Sequence, residues 1–152
     1  MTGVQTCALP ILLGMLENCV KALRSAMLHQ GMPFSAALRQ AEKVGFFGFF
    51  EDCRRVLERN PELAGRDICQ KALRIKRPAF DYLRQPELMA LEDLMGRVST
   101  AIVPEQIGDA VAIFNRQISM ITSELAKTNA KNAKVVKTMC LLGGLVVAII
   151  LI

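Results

Sequence analysis

Residues 104–125 read PEQIGDAVAIFNRQISMITSEL, and this stretch decides the fold class. Its apolar residues recur with 4-3-4-3-4 spacing: Ile107, Val111, Phe114, Ile118, Ile121 and Leu125. That spacing predicts an amphipathic helix. Pro104 and Glu105 form a natural start for it, because proline suits the first turn and a carboxylate interacts favourably with the helix dipole. Since the seam has fewer than three full heptads, we expect it to pack in a core rather than form a coiled-coil dimer.

The helix is expected to continue to residue 152, because no proline follows Pro104. Residues 124–137 are predicted to form a lysine-rich neck, with Lys127, Lys131, Lys134 and Lys137 three or four residues apart. Residues 139–152 are apolar throughout and would be about 21 Å long as a helix. Together with residues 135–138 they reach about 27 Å, close to the thickness of a bilayer core. We therefore predict a transmembrane helix at residues 138–152.

The charge around this segment predicts its orientation. The lysines precede it and no charged residue follows it, so the preceding domain should face the cytoplasm. Anionic lipid headgroups are the expected partner of the lysines. Nucleic acid is not, because the lysines lack interleaved aromatic residues. Gly144 and Ala148, next to Gly143, form a small-x-x-x-small pair that is typical of helix contacts within a membrane.

The sequence before Pro104 predicts several shorter helices, at residues 12–30, 36–44, about 49–59, 68–75 and 87–98. Ser35 and Asp67 are predicted as N-caps, and Pro86 as a first-turn residue. Residues 12–123 are thus expected to form a cytoplasmic helical bundle. Its predicted core residues come from every long helix: Leu23, Leu38, Phe49, Phe50, Leu57, Leu73, Leu94, Ile107, Phe114 and Ile118.

Composition supports the same fold class. Hydrophobic residues make up 52% and aromatic residues 5% of the 152 residues, with no tryptophan; this balance favours helices over β-sandwiches and barrels. The net charge is +5. Composition excludes a disulfide scaffold, a collagen-like repeat and a multi-span transporter. We predict an all-α protein: a small helical bundle with a long C-terminal helix that runs into a transmembrane segment.

Residues 1–11 read MTGVQTCALPI and resemble one translated reading frame of a common sequencing-library adapter. On this interpretation the segment is an artefact, the open reading frame was cut upstream, and native sequence starts near Leu12. We exclude the segment from the predicted bundle and expect that no packed face of the bundle depends on it.

Sequence support for catalysis is weak. Apart from Cys7, the chain has four cysteines, Cys19, Cys53, Cys69 and Cys140, and no cysteine pair has C-x-x-C spacing. The single histidine is His29. A zinc site would lack both its ligands and its pattern, and no nucleotide-binding or hydrolase motif occurs. We therefore predict no catalytic, cofactor-binding or metal-binding residues and no enzyme. The alternative from another class is a membrane-anchored thiol enzyme using Cys53 or Cys69, with His29 as the only available base.

Several short motifs together resemble one family. They are Pro104-Glu105-Gln106-Ile107 at the start of the long helix, Asn129, Lys131 and Asn132 in the neck, Leu142-Gly143-Gly144-Leu145 near residue 152, and GMPFSAAL at residues 31–38. The chain resembles the stage III sporulation protein AB family of endospore-forming bacteria over nearly all of residues 12–152. In that family another transmembrane helix usually comes first.

The resemblance implies a structural function. Such proteins resemble the inner-membrane platform proteins of type II secretion (the F component) and type IV pili. By this resemblance, the bundle would dock a cytoplasmic secretion-type ATPase in the mother cell. The membrane part would support other channel subunits in the outer forespore membrane. The resemblance implies no cofactor and leaves a homo-oligomer open. A tail-anchored signalling adaptor is a further alternative, and it would need no ATPase.

Overall fold

The computed structural model describes residues 2–75 and 78–129, and within these ranges the chain contains helices and no strand. The α-helices are α1 (Thr2–Leu28), α2 (Phe34–Val44), α3 (Phe49–Arg59), α4 (Gly65–Leu73), α5 (Gln85–Ser99) and α6 (Pro104–Asn129), and a 3-10 helix at Pro78–Tyr82 precedes α5. The all-α prediction is confirmed. Helix α6 begins at Pro104 with Glu105 in its first turn, as the sequence predicts.

The turn between α1 and α2 follows its sequence signals. Gly31 has a φ of +63°, a conformation that glycine adopts without strain. The chain can therefore reverse, and the N–H of Met32 donates a hydrogen bond to the carbonyl oxygen of Ala26 at 3.0 Å. The predicted helix end at Gln30 lies two residues beyond the observed end at Leu28.

Two predicted N-caps are wrong. Helix α2 begins at Phe34 after Pro33, so Ser35 lies inside its first turn. Proline has φ fixed near the helical value, which lets the helix start earlier than a serine cap would allow. Helix α4 begins at Gly65, and Asp67 lies in its first turn, where a carboxylate still favours the dipole.

The six helices form a closed ring in chain order. Each contacts the next, and α1 also contacts α6. Polar bonds fix the antiparallel register of neighbours. The Sγ of Cys19 in α1 donates to the carbonyl oxygen of Gly45 after α2 at 3.6 Å. The N–H of Gly65, at the start of α4, donates to Oγ of Ser99, at the end of α5, at 3.0 Å. The ring encloses one hydrophobic core.

The centre of this core is a cluster of phenylalanines. The ring of Phe49 makes edge-to-face contacts with Phe50 at a centroid distance of 5.1 Å and with Phe80 at 5.7 Å. Phe46 contacts both Phe49 and Phe80. Phe47 instead is 44% exposed and has a φ of +52°. Three of the four phenylalanines at residues 46–50 are therefore buried.

The predicted core residues behave largely as expected. Eight of the ten are buried, including the α6 seam residues Ile107, Phe114 and Ile118. Leu57 and Leu73 are half-buried at the margin of the core. The seam of α6 therefore faces the bundle, in agreement with core packing.

The expectation for the first eleven residues is wrong at Leu9. This residue is buried and belongs to the same core cluster as Leu12, Leu13 and Leu16, because it lies on α1 one turn before Leu12 and Leu13, on the same side of the helix. A packed face therefore does depend on part of residues 1–11.

Within residues 2–75 and 78–129, none of the helices contains a hydrophobic stretch sufficient to span a bilayer. The predicted transmembrane helix at residues 138–152 and most of the predicted neck lie outside the described residues.

Candidate docking surfaces

The most exposed large apolar side chain among the described residues is Ile102, in the loop between α5 and α6. It is 90% exposed, and its neighbour Val103 is 44% exposed. The loop lies at the Pro104 end of α6. Because α6 has 26 residues, the loop is about 39 Å along the helix from Asn129. We call Ile102 and Val103 the apolar tip.

Hydrogen bonds hold the backbone of the apolar tip. Oε1 of Gln106 accepts a hydrogen bond from the N–H of Ile102 at 2.7 Å and a longer one from the N–H of Val103 at 3.4 Å. The side chain thus reaches back from the first turn of α6 and pairs N–H groups that precede the helix, in the manner of a capping box. The tip is exposed on a fixed loop rather than on a loose one.

A depression of about 330 Å³ lies beside the tip. The loop and the first turns of α6 contribute Ala101, Gln106, Asp109 and Ile113 to its lining. Its mixed apolar and polar lining and its position next to two exposed aliphatic residues are typical of a protein-contact surface.

Three thiols of the described residues lie in the core. Cys19, Cys53 and Cys69 are buried, and burial raises the pKa of Cys19 to about 11. Burial raises the pKa of Cys53 further, and the neighbouring Cys69 and Asp52 add to the shift. Burial, assisted by the charge of Glu92, likewise raises the pKa of Cys69. The raised pKa values favour the protonated thiols near neutral pH, whereas a nucleophilic cysteine acts as the thiolate.

Several charged groups of the bundle join neighbouring helices or cap a helix. Nε of Arg54 donates to Oε2 of Glu42 at 3.1 Å, and Nη1 donates to Oε1 of Glu58 at 2.6 Å, so Arg54 joins α3 to α2. The buried carboxylate of Glu87 accepts bonds from the backbone N–H of Arg84 at 2.9 Å and from its Nη2 at 2.8 Å, which caps α5. In the described part of the chain, no group of three His, Cys, Asp or Glu side chains could hold a metal ion.

The predicted membrane-flanking residues lie at or beyond the end of α6. Lys127 is exposed on its last turn. The other predicted residues lie outside the described ranges: Lys131, Lys134, Lys137, Gly143, Gly144 and Ala148. The apolar tip was not predicted, although two β-branched aliphatic residues directly before a proline helix start were a visible signal for it.

A known protein family matches most of the chain. The model of stage III sporulation protein AB matches residues 9–152. The chain belongs to the stage III sporulation protein AB family. The match begins within residues 1–11, at the buried Leu9. No curated protein matches the chain, and no solved structure matches it.

In this member of the family, the motif Pro104-Glu105-Gln106-Ile107 has a physical explanation. Pro104 begins α6, Glu105 lies in its first turn, Gln106 pairs the N–H groups of the apolar tip, and Ile107 enters the core. The motif thus builds the start of α6 and fixes the exposed tip in front of it.

Proposed function

We propose that the chain is a platform subunit of a sporulation channel complex, which docks a cytoplasmic secretion-type ATPase through the apolar tip. Membership of the stage III sporulation protein AB family supports the sporulation context. The observation that carries the docking surface is the 90% exposure of Ile102 on a hydrogen-bonded loop. Covering an exposed aliphatic side chain with a partner removes apolar surface from water, which stabilises the complex.

The position of the tip supports a partner in the aqueous phase. In this proposal residues 138–152 span the cell membrane on the mother-cell side, at the outer forespore membrane, and contact other channel subunits there. The lysines from Lys127 onward bind anionic headgroups. The tip then lies about 35 Å from the headgroups along α6, beyond the reach of lipids.

A thiol enzyme and a tail-anchored adaptor are the alternative functions. A thiol enzyme needs an accessible thiolate and a base within hydrogen-bond reach, but Cys53 and Cys69 are buried with raised pKa values, and His29 is exposed. A tail-anchored adaptor would share the membrane segment, and binding of the ATPase discriminates it from a platform.

The docking surface is tested by the affinity of the purified full chain, in detergent, for the secretion-type ATPase of the same organism. The substitution Ile102→Asp should weaken binding at least tenfold, about 1.4 kcal/mol, because it places a charge in an apolar contact. Val44→Asp is the matched control. Val44 is 49% exposed at the end of α2, away from the tip, and its replacement should change the affinity less than twofold.

Two results would contradict the proposal. One is wild-type protein that does not bind the ATPase at tens of micromolar. The other is equal loss of affinity in Ile102→Asp and Val44→Asp, which would show that the tip is not the contact surface. Circular dichroism of both variants verifies that the helices are retained.

A further inference from the structure

Exposed apolar side chains also occur at the end of the bundle opposite the apolar tip. Phe47, between α2 and α3, is 44% exposed, and Ile75, two residues after α4 ends, is 43% exposed. Tyr82, the last residue of the 3-10 helix, is 37% exposed. We call these three residues the basal face.

Ring contacts and chain length bring the three residues to one end of the bundle. The ring of Phe80, in the 3-10 helix, lies at a centroid distance of 5.8 Å from Phe46 and 5.7 Å from Phe49. The 3-10 helix therefore packs against the turn that carries Phe47. Ile75 precedes the first residue of the 3-10 helix by three positions, so the two lie within about 11 Å of each other.

The basal face lies at the end toward which α6 runs. Helix α5 starts just after Tyr82, and Pro86 and Met89 in its first two turns line a groove on the flank of the bundle. Met120 and Ile121 of α6 line the same groove. The start of α5 is therefore level with the later half of α6 and not with the apolar tip.

The backbone of Phe47 is unusual for a bulky residue. It has a φ of +52°, and the other positive φ values in this turn belong to Gly45 and Gly48. A large side chain rarely adopts this left-handed conformation. Because the ring remains 44% exposed, full burial does not compensate the strain, and uncompensated strain of this kind is common at functional sites.

The chain around the basal face is basic. Residues 71–84 contain five basic residues and one acidic residue, Asp81. Arg74 is exposed at the end of α4. Arg84 binds the buried Glu87 through Nη2 at 2.8 Å, yet 47% of its side chain remains exposed. This end of the bundle thus offers aromatic and aliphatic side chains together with cations.

We infer that the basal face contacts the anionic headgroups of the membrane surface. Aromatic residues are favoured at the boundary between headgroups and acyl chains, and basic residues near a membrane segment bind anionic lipids. The two together are the usual components of interfacial binding. The inference rests on the proposed function, because the predicted membrane segment at residues 138–152 places this end of the bundle next to a bilayer.

Distances along α6 agree with such a contact. Ile121, which is level with the start of α5, lies about 9 Å along the helix from Lys127, where headgroup contact is proposed to begin. Arginine side chains such as that of Arg74 can extend toward headgroups. Helices that span a membrane are commonly tilted, and a tilt of α6 toward this side brings the basal face onto the surface.

Tryptophan fluorescence of the full chain in vesicles tests the contact. The chain has no tryptophan, so Tyr82→Trp and Phe47→Trp each report a single position. In vesicles of phosphatidylglycerol and phosphatidylcholine with brominated acyl chains, both tryptophans should be quenched. Quenching should fall at least twofold when phosphatidylglycerol is omitted. Ile102→Trp is the matched control on the 90% exposed tip, and it should show no quenching.

A charge reversal then assigns the contact to the basic residues. Arg74→Glu, added to Tyr82→Trp, should lower the quenching at least twofold. Arg59→Glu is the matched control, because Arg59 is exposed at the end of α3 that lies away from Phe80, and it should leave the quenching unchanged. Circular dichroism verifies that both variants keep their helices.

A tryptophan in the predicted membrane segment, Val147→Trp, separates the two proposals. Quenching at position 147 without quenching at position 82 overturns the basal contact and leaves the anchor in place, and an acidic protein as the true partner would give this result. Lack of quenching at position 147 contradicts the anchor. The basal contact is also overturned by equal quenching at positions 82 and 102, by equal quenching in neutral vesicles, or by an unchanged signal in Arg74→Glu.

Discussion

Replacing Phe49 with alanine should lower the free energy of unfolding by about 3–5 kcal/mol, as is usual for a large aromatic residue in a core. Phe49 is fully buried and makes edge-to-face contacts with Phe46, Phe50 and Phe80. Each such contact adds to the stabilisation that burial of the ring provides. Thermal unfolding of the full chain in detergent, followed by circular dichroism at 222 nm, should show a midpoint lower by about 10 °C or more.

Phe47→Ala is the matched control for this substitution. Phe47 belongs to the same sequence cluster but is 44% exposed and contacts only the ring of Phe46 among the described aromatic pairs, at 5.7 Å. Its replacement should cost less than about 1 kcal/mol. Equal destabilisation by the two substitutions would contradict the placement of Phe49 at the centre of the core.

The second large effect is expected from Gly65→Ala. A Cβ atom on Gly65 would lie 2.2 Å from the carbonyl oxygen of Met95 and 2.4 Å from Oγ of Ser99. The carbonyl belongs to the backbone of α5 and cannot rotate away, so α4 and α5 must separate. Overpacking of this kind costs about 1–3 kcal/mol and sometimes more, and it also lengthens the bond from the N–H of Gly65 to Ser99. The midpoint of thermal unfolding should fall by about 5 °C or more.

Gly108→Ala provides the opposite expectation for the same chemical change. Gly108 lies in α6 with nothing within 4 Å of an added Cβ, so alanine should stabilise the helix by about 0.5–1 kcal/mol. If Gly65→Ala unfolds at or above the wild-type temperature, the close packing of α4 on α5 is wrong.

Much of the fold follows from apolar periodicity. The 4-3-4 spacing from Ile107 to Ile118 correctly predicted both the helix and the side that faces the core, because a narrow stripe on a long helix leaves little freedom in its orientation. Farther along the stripe, Ile121 and Leu125 are only half-buried. Periodicity identifies a face, but neighbouring helices decide how far along the face burial extends.

The details that sequence reasoning missed depend on tertiary contacts. Ser35 and Asp67 have the side chains of N-caps, yet Pro33 and the packing of Gly65 against α5 start both helices earlier. Phe47 could not be separated from its buried neighbours by residue type, because only the turn geometry turns its ring outward. In each case the local propensity is correct in kind and is displaced by one turn or less.

The candidate surfaces were harder to predict than the core. Isoleucine and methionine are residue types that usually lie in a core, so the sequence does not mark Ile102, Met89 and Met120 as exposed. Their exposure depends on which positions neighbouring helices leave uncovered. The thiols show the reverse case. Cys53 and Cys69 are buried in the core, the usual environment of a free cysteine, which packs as a small apolar side chain.

The most direct test of a membrane-anchored platform is alkaline carbonate extraction of membranes from cells that express the full chain. Wild-type protein should stay with the membranes, and Val147→Arg should move to the soluble or aggregated fraction, because arginine near the centre of a spanning helix costs about 2.5–3.5 kcal/mol of insertion. Val44→Arg, on the exposed surface of the bundle, should stay with the membranes like the wild type. Extraction of the wild-type chain by carbonate, or full retention of Val147→Arg, would contradict an anchor at residues 138–152.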